Sequence, residues 1–90
     1  MPNSMTSDDA AIVALKALAY LANQPDALER FLALSGIGVA QMRQRASEPA
    51  FLAGVVEFLL TDETLLVAFC ESESQDAKSL HLAAHSLTNA

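Results

Sequence analysis

Glu48-Pro49-Ala50-Phe51-Leu52-Ala53-Gly54-Val55-Val56-Glu57-Phe58-Leu59-Leu60-Thr61-Asp62-Glu63 is the stretch that decides the fold. Proline suits the first turn of a helix, where its missing N–H has no partner to lose, so Pro49 marks a start capped by Ser47. Asp62 marks the next start, because an aspartate oxygen can accept the free N–H groups of a following first turn. Between these signals, Phe51, Leu52, Val55, Val56, Phe58, Leu59 and Leu60 cover roughly 200° of a helical wheel, against roughly 100° for a surface helix. Only Ala53, Gly54 and Glu57 fall on the remaining side. Such a helix must pack against two neighbours, or against one neighbour and a second chain. The expected fold is therefore all-α: a compact orthogonal bundle of five to six short helices around this central apolar helix.

On the N-terminal side, Ser7 as a cap with Asp8 and Asp9 in the first turn predicts a first helix running to about Asn23. Ile12, Leu15, Leu18, Ala19 and Ala22 share one of its faces, expected to be the buried one, with Lys16 and Tyr20 turned away. Residues 1–7 are expected to be disordered, and residues 8–90 to form a single helical domain. Pro25 ends the first helix and opens a second, about 26–35, with Leu28, Phe31, Leu32 and Leu34 inward and Gly36 as a left-handed C-cap. A third helix near 39–46 has a narrow apolar side of Val39, Met42 and Ala46. The fifth turns Leu65, Leu66, Phe69 and Cys70 inward and leaves Val67 over. After a serine-rich break at 72–75, residues 76–87 predict a sixth, weaker helix. The strand signals of β-branched alternation and Asn-Gly turns are missing.

Ninety residues suffice for one domain, and a chain this short buries only a modest share of its surface. With 52% hydrophobic residues against 18% charged, stability must come from dense helix packing or from pairing with a second copy. The net charge of −6 is unevenly placed: residues 1–46 sum to zero, and residues 47–90 hold Lys78 against seven acids. That acidic half repels phosphate backbones and anionic membranes and suits proteins with basic surfaces. Cys70 is alone, which excludes an internal disulfide and fits a reducing compartment. The apolar run 10–22 follows Asp8 and Asp9 and is broken by Lys16, unlike a signal peptide. No stretch reaches the roughly 18 uncharged apolar residues of a membrane span. A cytoplasmic protein without membrane contact is expected.

Three motifs bear on chemistry. Residues 31–45 have the outline of a helix-turn-helix, with Gln41, Arg43, Gln44 and Arg45 on or near its outer arc, and Gln and Arg suit adenine and guanine edges. Yet few basic residues are present there to grip phosphate. His81 and His85 stand at i and i+4, a spacing that can chelate zinc, but Leu82 occupies the glutamate position of the zinc-protease motif. Glu57 falls in the polar gap of the central helix, beside Gly54, and is expected to be solvated. Ser35 has no activating base at a suitable spacing, and Gly36-Ile37-Gly38 lacks the third glycine of a phosphate loop. No catalytic residue, metal or cofactor is expected.

Leu18-Ala-Tyr-Leu-Ala22, Leu28-Glu-Arg-Phe-Leu-Ala-Leu-Ser-Gly-Ile37, the block 48–63 and Leu65-Leu-Val-Ala-Phe69 resemble domain-of-unknown-function family 3572. The resemblance covers roughly residues 10–70 and is less evident in the last twenty. It implies a short helical bacterial protein of the alphaproteobacterial kind, and no activity or cofactor. The function expected from the residues is that of a protein-interaction module, adaptor or regulatory, without catalysis. Its contacts would be Val56, Leu60 and Val67 at the edges of the fourth and fifth helices, and its partner another protein or a second copy in a homodimer. The alternative is a DNA-binding regulator working through Gln41, Arg43, Gln44 and Arg45.

Overall fold

Among the described residues, six helices follow one another through connections of one to three residues: α1 Ser7–Ala22, α2 Pro25–Ser35, α3 Val39–Arg45, α4 Pro49–Thr61, α5 Glu63–Glu73 and α6 Ala77–Thr88. The structure is a computed structural model and describes residues 6–89; no strand occurs among them. Of the segment 1–7 expected to be disordered, residues 1–5 lie outside the described residues. Thr6 is the N-cap, its hydroxyl accepting the Asp9 N–H at 3.1 Å, so Ser7 is already the first helical residue.

Local chemistry sets most helix ends. Pro49 opens α4 as expected, but the cap is Glu48 and not Ser47. Asp62 ends α4 and begins α5, its carboxylate accepting the Leu65 N–H at 3.1 Å. Asp76 caps α6 by accepting the Ser79 N–H at 2.8 Å. Gly36 closes α2 at φ 73°, a left-handed conformation that a side chain would strain.

The core lies between α1, α4 and α6. α4 packs most extensively against α6 and α1, and α1 against α6. Each helix turns a continuous stripe inward: Ala10, Ala14, Ala17 and Leu21 from α1, Val55, Val56 and Leu59 from α4, and Leu80 and Ala83 from α6, all at zero exposure. Ala53 is also buried, which widens the buried arc of α4 beyond the expected one. Alanine at these positions removes the bulk that keeps helix axes apart, so three backbones can approach closely. Phe69 of α5 closes the side of this core, edge to face with Tyr20 at a centroid distance of 5.5 Å. α6, expected to be the weakest helix, is thus one of three principal walls.

The inward face of α1 is the reverse of the expected one. Ile12 and Leu15 are 53% and 45% exposed, Ala19 and Ala22 face solvent, and Leu18 is half-buried. α1 carries apolar residues around most of its circumference, and the side admitted to the core is Ala10, Val13, Ala14, Ala17 and Leu21, while the outer side also carries Asp8 and Lys16. α2 departs similarly: Ala27 and Phe31 are buried, Leu28 and Leu32 half-buried, and Leu34 is 78% exposed. Val39, expected on the apolar side of α3, is also exposed, whereas Met42 is buried.

α2 and α3 sit outside the three-helix core and contribute no residue at zero exposure. Phe31 anchors α2, edge to face with Phe51 at 5.8 Å and with Phe58 at 5.4 Å. Aromatic pairs of this geometry add about 0.5–1.5 kcal/mol beyond the area they bury.

Leu80→Ala is expected to destabilise the domain by about 2–5 kcal/mol in urea unfolding, as for a fully buried leucine. Leu15→Ala, chemically the same truncation, is expected to change stability in dilute protein by under about 1 kcal/mol, as an exposed residue does.

Candidate interaction surface

The central helix leaves little apolar surface over. Val56 is wholly buried and cannot touch a partner while the domain is folded. Leu60 is half-buried against the core, and Val67 on α5 is 48% exposed. The three residues expected to form one contact surface therefore have three different environments, and only Val67 stands open to solvent.

The surplus lies on α1. Ile12, Leu15, Ala19 and Ala22 follow one another along its outer face, with Leu18 half-buried at the edge and Lys16 exposed on the other side. A second apolar feature is an open groove of about 330 Å³ between α2 and α4, lined by Phe31, Leu34, Ser35, Gly54, Glu57, Phe58 and Thr61. The large rings of Phe31 and Phe58 act as spacers there. A Cβ built on Gly54 would meet nothing within 4 Å, so this glycine is not required by packing inside the domain. Glu57 is exposed at the same place, as its position in the polar gap implied.

The helix-turn-helix outline has a partial counterpart. α2 and α3 are joined through the left-handed Gly36, Met42 plugs α3 inward, and Arg43, Gln44 and Arg45 are exposed. Gln41 is exposed too, but its side-chain oxygen accepts the Gly38 N–H at 2.9 Å and closes the first turn of α3. α3 spans seven residues, two helical turns, of which only the C-terminal one carries basic groups.

The other polar candidates are scattered. His81 and His85 are exposed on α6, and among the described residues no three His, Cys, Asp or Glu side chains come together. Burial, followed by the Asp76 charge, pushes the Cys70 thiol above its ordinary range, which keeps the nucleophilic thiolate scarce at neutral pH.

The best-defined polar contact joins α2 to the α4–α5 corner. Arg30 donates to Asp62 at 2.7 Å while its guanidinium carbon stands 5.6 Å from the centre of the Phe58 ring. The pair borders a shallow cavity of about 290 Å³ that also includes Tyr20, Gln24 and Thr64. The Arg30 hydrogen bond first, and the Leu65 N–H second, hold the Asp62 carboxyl below its ordinary value. Sequence patterns give no sign of this pair, because its members are 32 residues apart and Asp62 is legible there only as a helix cap. Ile12 and Leu15 are missed for another reason: the heptad of outward residues on α1 and its inward alanine ridge are equally apolar on a wheel.

These features define an all-α domain of three core helices, with a helical pair clamped outside it and a capping fifth helix. The chain belongs to the family described as Protein of unknown function (DUF3572), which matches residues 7–90. The match takes in α6, beyond the residues that carry the resemblance in the sequence. No curated protein and no solved structure matches the chain. Among the described residues, no helix is long and apolar enough to cross a membrane.

A carboxylate with a depressed folded-state pKa stabilises the fold above its unfolded-state value, and that stabilisation is lost as pH falls through the folded-state value. The melting temperature is therefore expected to fall on acidification below the ordinary carboxylate range. Asp62→Asn should melt lower than wild type at neutral pH and show a shallower acid slope; parallel pH profiles would refute the assignment to Asp62.

Proposed function

We propose that this protein is a non-catalytic interaction module of the cytoplasm that contacts other protein surfaces through the outer face of α1. The observation that carries this reading is the exposure of Ile12 and Leu15 in a continuous apolar row, while alanines of the same helix fill the core. Exposed leucine and isoleucine are unremarkable singly, but a row of them along one helix marks a contact surface. It replaces the surface expected at Val56, Leu60 and Val67, of which Val67 lies on another helix and Val56 is out of reach.

DNA contact through Arg43, Gln44 and Arg45 has less support. These side chains are exposed beyond a glycine turn, as a recognition helix requires. However, Gln41 is occupied at Gly38, and the chain's surplus negative charge opposes a phosphate backbone.

A photo-crosslinking residue at Ile12 tests the reading in the living host, with the same residue at Lys78, exposed on α6, as control. Discrete protein adducts from position 12, absent from position 78, are expected. Adducts to nucleic acid alone, or none from position 12, would contradict it.

A further inference from the structure

We infer that the outer face of α1 takes the α1 of a second copy of this chain, in antiparallel order. This deepens the interaction reading above and rests on it. Ile12, Leu15, Ala19 and Ala22 are separated by steps of three, four and three, the spacing of an apolar helix seam. All four are exposed.

The size gradient along that seam points to the occupant. The bulky residues, Ile12 and Leu15, are in its N-terminal half, and the small ones, Ala19 and Ala22, in its C-terminal half. A two-fold axis perpendicular to α1 near Ala17 sets Ile12 of one copy against Ala22 of the other, and Leu15 against Ala19. Each bulky side chain then meets a small one, and the surface is its own complement, as an isologous contact requires. A parallel pair would oppose bulky to bulky and small to small. It would also bring Asp8 and Asp9 beside their twins and align the two helix dipoles.

Lys16 is the charged group at the seam's edge, and the axis brings it near its counterpart, so this contact opposes pairing weakly from the solvent side. The surface is also small. α1 has 16 residues and is about 24 Å long, and one helix face falls short of the about 800 Å² per partner of a standard interface. The pairing is therefore weak and readily exchanged.

Sedimentation velocity of the full chain from about 1 to about 300 µM tests it, in the range where small interfaces associate. Wild type is expected to shift from a 9.5 kDa monomer toward twice that mass. Leu15→Glu and Ala19→Lys should each weaken self-association by about tenfold or more while retaining the wild-type circular dichroism spectrum. Mixing the two variants should restore a dimer, because the carboxylate introduced by Leu15→Glu in one copy then faces the ammonium introduced by Ala19→Lys in the other.

Wild type that remains monomeric throughout, or a Leu15→Glu variant that dimerises as tightly as wild type, would overturn the inference. A mixture that stays monomeric would overturn the antiparallel register. The interaction reading fails separately. A monomeric chain that still crosslinks from position 12 to a different protein keeps that reading and removes the second copy; no adduct and no dimer removes both.

Discussion

The close approach of α1, α4 and α6 is the constraint on which the rest of the structure depends. Ala10, Ala14 and Ala17 on α1 and Ala83 on α6 sit at zero exposure beside the valines and leucine of α4. Packing density in such a core leaves no room for added methylenes without strain, typically about 1–3 kcal/mol per overpacked site. The small side chains must therefore face inward. Val13 and Leu21 share that side and are buried with them, whereas Ile12 and Leu15, on the opposite face of the helix, point out.

That requirement also explains the two-tier architecture. The central helix has its widest apolar arc satisfied by α1 and α6 before α2 and α3 are placed. α2 is held by large rings, Phe31 against Phe51 and Phe58, and by the Arg30–Asp62 contact, and α3 buries Met42. Rings hold α2 at a distance that alanines do not, which opens the groove over Gly54. The domain therefore combines a dense three-helix core with an outer layer attached by a few large or charged side chains. Its apolar surplus lies on the opposite side from the one suggested by the composition of α4.

Much of this was legible in the amino acids wherever the cause is local. The αL glycine at Gly36, the proline start at Pro49 and the aspartate cap at Asp62 act over three or four residues, and each element begins or ends within a residue or two of its expected place. The face of α1 was not legible, because an apolar wheel does not say whether bulk or smallness is wanted; that depends on how near the neighbouring helices lie. For the same reason the alanine-bearing α6 looked marginal although it walls the core. The contact residues follow from this: Val56 is at the edge of an apolar face on the wheel yet wholly buried, and the face shared by Ile12 and Leu15 turns to solvent.

Cysteine accessibility tests the orientation of α1 most directly. In a Cys70→Ser background, single cysteines at Ala14 and Leu15 would be exposed to a thiol reagent in dilute, folded protein. The cysteine at 15 should label at the rate of an unstructured peptide. The one at 14 should label only as fast as the domain opens, and should accelerate sharply in urea. Rapid labelling at 14 with protection at 15 would contradict the account, since it would place the bulky face of α1 in the core and leave the alanine ridge in water.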